Sequence, residues 1–236
     1  AQVSPATTSL TFPPSLIDLP SGAPIDDVLV GNATLVRRSD GEVLSWGSNP
    51  PLARVSSRNP DPVPMPAALG AVSSLDITTN TACATVLGTG YCWGLLDVFG
   101  NQEAPSALAR SMPEPVVAPE PLVDIATTRV FGFTDASGNR IIQTQRWCAV
   151  GASGDVYCWG LNTSGQAGDG TKDHAYSAVR VAGLPGPAAQ VKTMPMSTCA
   201  LLTSGKVFCW GNNFYGQLGH GQVKGMSLVP QEVVLP

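Results

Sequence analysis

Six cysteines are the residues of this sequence with the most chemistry to offer. They fall into three local couples, Cys83 with Cys92, Cys148 with Cys158 and Cys199 with Cys209, separated by 9, 10 and 10 residues. Thiols in such numbers bind a metal, act as nucleophiles or oxidise to disulfides. Structural zinc takes ligands two to four residues apart, commonly as CxxC. The sequence has no CxxC and no HxxxH, and its two histidines, His174 and His220, stand in glycine-rich stretches far from such a spacing. No metal site and no cofactor are therefore assigned. Nucleophile-elbow, Walker, dinucleotide and HExxH strings are missing as well. Asp169, Asp173 and His174 cluster in "GDGTKDHAY", but their spacing is not that of a calcium loop with its distal glutamate. The chain reads as a non-enzyme with no catalytic residue.

Oxidation makes a demand on the elements that hold the cysteines. With Thr198 to Leu202 and Lys206 to Trp210 as antiparallel strands around Ser204-Gly205, Cys199 lies opposite Cys209. Opposed strand residues have Cα atoms about 4.5–5.5 Å apart, within the reach of a disulfide. The same arithmetic serves Cys148 and Cys158 around Ser153-Gly154, and Cys83 and Cys92 around Leu87-Gly88. Each such link stabilises by about 2.5–3 kcal/mol on the chain-entropy estimate, and implies an oxidising compartment. The competing reading is six reduced thiols buried in a cytosolic protein.

The hairpins belong to a repeat. "CAVGASGDVYCWGLNTSGQAG" from Cys148 and "CALLTSGKVFCWGNNFYGQLG" from Cys199 are near copies. A third copy, "ACATVLGTGYCWG", has a degraded glycine loop and a closing strand in "PEPVVAP". A fourth, "TLVRRSDGEVLSWG", holds Leu35 and Ser45 where the others hold cysteines. Loss of both partners together is what a paired site requires, since one leftover thiol is a liability under oxidising conditions. The pairs Trp46-Gly47, Trp93-Gly94, Trp159-Gly160 and Trp210-Gly211 recur at 47, 66 and 51 residues. The long interval carries an insertion, "TTRVFGFTDASGNRIIQTQ", patterned as a hairpin turning at Ser137-Gly138-Asn139.

Four short strands per unit of about 50 residues, each bounded by turns, predict an all-β fold, a β-propeller of about four four-stranded blades. The blades are expected at about 24–67, 68–119, 120–184 and 185–236, behind an extended proline-rich segment over 1–23. Each Trp-Gly has a packing role in this reading: the indole fills space between blades and the glycine permits a tight bend.

Composition narrows the function classes. Charged residues are 13% of the chain and the formal charge is -4, with no basic run beyond Arg37-Arg38; a nucleic-acid surface normally shows a basic patch. No apolar run has the roughly 18–20 residues of a membrane-spanning helix. The start "AQVSPATTSLTFPP" suits the mature end left by signal-peptide removal.

On these residues the sequence resembles the regulator of chromosome condensation repeat family, whose units carry a cysteine- or apolar-flanked hairpin, a "WG" and a "GxNxxGQLGxG" loop. The likeness spans about residues 24 to 236. It is strongest at Trp159, Gly160, Asn162, Gly165, Gln166 and Gly168, and at Trp210, Gly211, Asn213, Gly216, Gln217 and Gly219. It implies a propeller, in that family usually of seven blades, so about four blades make either a small ring or an arc with exposed ends. The cysteine-paired form is similar to a secreted branch of the family. The nucleotide-exchange and chromatin roles of the founding member are not carried over to an acidic chain without a basic tail.

The expected function is that of an extracellular protein-interaction or structural module, secreted, on a cell surface or in a periplasm, and a segment of a surface assembly or filament. Its partners would be another protein or further copies of itself at open blade edges, with no nucleic acid and no membrane span. Alternatives are an inhibitor of a secreted enzyme acting through the insertion from Thr127 to Gln145, and a lectin or adhesin. Trp147, Tyr176, Phe214 and Tyr215 are the binding candidates. The sequons at Asn32 and Asn162 are the glycosylation candidates.

Overall fold

The structure is a computed structural model that describes residues 15–95, 111–129, 131–134, 137–138, 140–143 and 145–234. Short apolar and β-branched runs, interrupted by glycine and proline, pair with their sequence neighbours into four sheets. The first blade holds β1 (Ile25–Val30), β2 (Ala33–Arg38), β3 (Val43–Gly47) and β4 (Asp61–Pro66), and the second holds β5 (Val72–Ile77), β6 (Thr81–Val86), β7 (Thr89–Gly94) and β8 (Glu114–Pro115). The third is built of β9 (Leu122–Thr127), β12 (Arg146–Gly151), β13 (Val156–Gly160) and β14 (Ala175–Arg180). The fourth is built of β15 (Ala188–Thr193), β16 (Ser197–Leu202), β17 (Val207–Asn212) and β18 (Met226–Glu232). Each sheet is an antiparallel meander in chain order. The insertion in blade three forms a separate ribbon of β10 (Phe131–Thr134) and β11 (Arg140–Gln143). No helix occurs among the described residues.

Register places the cysteines as the hairpin arithmetic requires. Cys83 opposes Cys92, Cys148 opposes Cys158 and Cys199 opposes Cys209. All three pairs are disulfide-bonded, with Cα atoms 4.1 Å apart. Leu35 opposes Ser45 in blade one, in the same register. The glycine after each tryptophan has positive φ, from 100° to 108°. A Cβ at Gly94, Gly160 or Gly211 would be driven into the carbonyl of Asn80, Gln145 or Met196 respectively, so glycine is required there on two counts.

The closing strand of blade two falls within "PEPVVAP" as expected, but is only the two residues of β8, because the stretch offers prolines where a ladder needs N–H donors. The proline-rich N-terminal stretch forms no strand within 15–24. It is tied to blade one by Arg38, which donates to the carbonyls of Ala23, at 2.8 Å, and Pro20 and pairs with Glu42 at 2.8 Å. Residues 1–14 and 96–110 lie outside the described residues.

The first strands of all four blades converge on a polar cavity of ≈ 300 Å³ lined by Asp27, Ser74, Asp124, Gln190 and Lys192 among others. Three apolar cores lie between successive sheets. Leu35, Val43, Leu75 and Trp93 join blades one and two. Leu122, Ile125, Ala149 and the Cys83–Cys92 disulfide join two and three. Val150, Val191, Phe208, Trp210 and the Cys148–Cys158 disulfide join three and four. Among the described residues, no such core joins blade four to blade one. The four blades form an open arc.

Candidate functional site

The joint between blades is the unit from which every surface of the arc is built. In blades two, three and four the leading face carries the tryptophan, and the trailing face of the blade before it carries Leu35 in blade one and the disulfide in blades two and three. Trp210 donates its indole N–H to the Gln166 carbonyl at 2.8 Å, across the joint between blades three and four. Trp93 does the same to the Pro51 carbonyl at 3.1 Å, across the joint between one and two. Burial of an indole with its N–H satisfied is the favourable case for tryptophan.

Carboxylates near the axis latch the same joints. Asp76 accepts the Thr127 N–H at 2.9 Å, and Asp124 accepts the Val191 N–H at 2.8 Å and the Ser74 hydroxyl at 2.6 Å. Burial pushes both carboxyls above their ordinary value, although Lys192, 3.2 Å from Asp76, and the hydrogen bonds pull the other way. Arg146 is wholly buried at the joint between blades three and four. It donates to the carbonyls of Gln166 at 3.1 Å, Met194 at 2.6 Å and Ser197 at 2.9 Å, and to the Thr198 hydroxyl. Desolvation pulls its guanidinium down to about 9. In the sequence Arg146 looks like a surface charge, and only the blade that covers it some 50 residues later (Thr198, 52 residues on) reveals its place.

One joint is built differently. Trp93 and Trp210, each at a joint, are both 0% exposed, whereas Trp159, at the joint between blades two and three, is partly open to solvent. The residue opposite the repeat tryptophan is Thr34, Ala82 or Thr198 in three blades and Trp147 in the third. The two indoles stack, with centroids 6.3 Å apart and planes inclined by 19°. Together with Cys92, residues 114–119 and Tyr176, Ser177 and Ala178 they line a groove of ≈ 470 Å³.

At each end of the arc some apolar positions are more exposed than their counterparts inside it. Ile25, Val28 and Val30 occupy the places taken in blade two by the buried Val72 and Leu75 and the partly buried Ile77, and are 42%, 57% and 68% exposed, while Val36, Leu44 and Trp46 of the same blade are buried. On the trailing face of blade four, Leu201 is partly exposed where Val150 of blade three is buried.

Comparison with known proteins names this architecture. Residues 197–217 match the family model described as Regulator of chromosome condensation (RCC1) repeat. The chain is an RCC1-type repeat β-propeller. It is 26% identical over 198 residues to the E3 ubiquitin-protein ligase HERC2 of Mus musculus, covering 81% of this chain and 4% of that protein. It superposes on human WBSCR16 with a TM-score of 0.69 at 18% identity, over 92% of this chain and 55% of that one. On Prp20p from Saccharomyces cerevisiae, a structure described with its binding properties to Gsp1p and histones, the TM-score is 0.64 at 20% identity, over 90% and 50%. The chain thus spans about half the length of the RCC1-type propellers it superposes on, and a small part of HERC2.

The remaining candidates are now placed. Trp147 and Tyr176 meet in one groove, while Phe214 and Tyr215 form an edge-to-face pair at 4.9 Å on the RCC1 loop of blade four. Asn32 is exposed. Asn162 is corrected: it is fully buried, its Nδ2 donates to the carbonyls of Thr171 and Asp173 at 3.2 and 3.0 Å, and its Oδ1 accepts the Ala167 N–H at 2.7 Å. A side chain that folds the RCC1 loop in this way cannot carry a glycan in the folded protein. The Asp169 carboxylate is engaged by the N–H and hydroxyl of Thr171 at 3.0 and 2.9 Å, and no cluster of three or more metal-ligating side chains occurs among the described residues.

Proposed function

We propose that this RCC1-type propeller is a non-enzymatic, extracellular protein-interaction module that meets a protein partner, or further copies of itself, at the open ends of its arc. The exposed row Ile25, Val28 and Val30, whose counterparts inside the arc are the buried Val72 and Leu75 and the partly buried Ile77, is the observation that carries this reading. Burial of apolar surface drives association in proportion to area, and contiguous exposed apolar sheet is characteristic of interaction surfaces. Three disulfides among the described cysteines support an oxidising setting. That Prp20p, of the same fold, is described as binding Gsp1p and histones supports a protein partner in general terms.

Light scattering of the oxidised chain over a concentration series tests the reading. Association at micromolar concentration, weakened by Val28→Arg at one end or Leu201→Arg at the other, is the expected result. A compact monomer of high melting temperature at every concentration would overturn it.

A further inference from the structure

We propose that the RCC1 loop of blade four, Asn213 to Gly221, is a docking site for the indole of a further RCC1-type blade carried by a partner protein. The inference rests on the reading of the arc's ends as interaction surfaces, and narrows one end to one kind of partner.

The joint between blades three and four shows what such a loop receives. In blade three, Ser164, Gly165, Gln166 and Gly168 are all buried. The Gln166 carbonyl takes the Trp210 N–H at 2.8 Å, and the Gly170 N–H donates to the Leu228 carbonyl at 3.0 Å. A Cβ at Gly168 would run into the same indole, and one at Gly165 into Leu228. The loop of blade four is folded in the same way. Asn213 Oδ1 accepts the Leu218 N–H at 3.1 Å, as Asn162 Oδ1 accepts that of Ala167 at 2.7 Å. Gln217 Oε1 accepts the Tyr215 N–H at 2.9 Å, as Gln166 Oε1 accepts that of Ser164 at 2.6 Å. Gly216 and Gly219 have φ of 79° and 67°, against 74° and 72° at Gly165 and Gly168.

The two loops differ in their cover. Tyr215, in the place of the buried Ser164, is 84% exposed. Gly219 is exposed, and Gly216 and Gln217 are partly so. Among the described residues, the Gln217 carbonyl and the Gly221 N–H have no hydrogen-bond partner, where their counterparts Gln166 and Gly170 have Trp210 and Leu228. An acceptor for an indole and a donor for a strand carbonyl are thus held in place before any partner arrives, which lowers the ordering cost of binding. Phe214 and Tyr215, edge to face at 4.9 Å, replace Thr163 and Ser164 and give the site the aromatic surface enriched in protein contacts. The chain's own first blade does not supply the occupant. Its Trp46 is 4% exposed, whereas an indole that crosses a joint has to reach the carbonyl on the other side.

Titration of the isotope-labelled oxidised chain with a synthetic hairpin of the sequence Ser197 to Asn212, closed by its own disulfide, tests the proposal through amide chemical shifts. Saturable shifts at Gly216 to Gly221 are expected. Trp210→Ala in the hairpin and Tyr215→Ala in the chain should each weaken binding by about tenfold, as for an aromatic anchor at the centre of a contact. Tyr215 is 84% exposed, so its removal leaves folding intact; Val28→Arg, at the other end, should leave hairpin binding unchanged. A tethered form removes any dependence on the folding of the free hairpin. With residues 186–236 repeated after Pro236, the inner Cys199–Cys209 bond should resist a phosphine reductant as Cys148–Cys158 does, because each repeat is stabilised by its neighbour. Reduction as fast as in the parent chain, with no shift at millimolar hairpin, would overturn the proposal. Shifts indifferent to both substitutions, or the same shifts on concentrating the chain alone, would do so as well. Self-association of the chain with a silent loop would strike this site and leave the open ends, whereas hairpin binding by a chain that stays monomeric would strike only the self-association.

Discussion

Trp210 hands its indole N–H to the Gln166 carbonyl 2.8 Å away, in the blade that precedes it. The bond crosses a joint in which the Cys148–Cys158 disulfide, Phe208 and Val191 are also packed. A side chain that fills a joint and satisfies its one polar atom there is costly to remove. Trp210→Ala should destabilise by about 3–5 kcal/mol, the range for a large aromatic removed from a core. Trp159→Ala, at the partly open joint, should cost clearly less. Denaturant melts of the two oxidised variants check the order, and equal losses would contradict it.

Arg146 gives a second prediction. Its guanidinium is buried among three carbonyls and a hydroxyl, with no carboxylate among the partners it meets. Lysine keeps the charge but not the planar fork of donors. Arg146→Lys should therefore destabilise almost as much as Arg146→Ala, each by about 3 kcal/mol, because acceptors are left buried without donors in both. Recovery of wild-type stability by lysine would show that charge alone matters here.

The axial carboxylates set the sign of one pH dependence. Asp76 and Asp124 are raised above 3.8, chiefly by burial, so the folded state holds their protons more tightly than the unfolded chain does. Their favourable contribution is complete below that ordinary value and is lost as pH rises through the raised one. Asp155 behaves oppositely: its hydrogen bonds to Arg180 lower it, and its contribution is present above 3.8 and lost on acidification. Asp124→Asn should flatten the fall in melting temperature as pH rises above 3.8, relative to wild type. A steeper fall in the variant would contradict the assignment.

Exposure ranks the disulfides. Cys83, Cys148 and Cys158 are wholly buried in joints between blades, whereas Cys199 faces the open end and is partly exposed. A phosphine reductant should open Cys199–Cys209 first under native conditions and reach the other two only as the protein unfolds. Timed alkylation and mass spectrometry read the order, and first loss of Cys148–Cys158 would place blade three, not blade four, at an open face.

Much of this was legible in the sequence because it is local. The cysteine couples, the Ser-Gly turns and the Trp-Gly pairs are each set within one hairpin, so spacing alone puts Cys199 opposite Cys209. The joints were not legible in the same way. Whether Trp159 is buried depends on the blade that precedes it, and that Arg146 and Asp124 are interior depends on strands 52 and 67 residues further on. Asn162 shows how a local pattern misleads, since the sequon and the turn-forming asparagine of the RCC1 loop are the same residue. In the folded chain the turn uses the nitrogen that a glycan would need.

Peptide mapping of the unreduced protein, taken from its own source, tests most directly that disulfide-closed hairpins stacked as blades make up this molecule. The account predicts three linked peptide pairs, Cys83 with Cys92, Cys148 with Cys158 and Cys199 with Cys209, and no free thiol. Free thiols, or links between cysteines of different blades, would contradict both the blade layout and the extracellular setting.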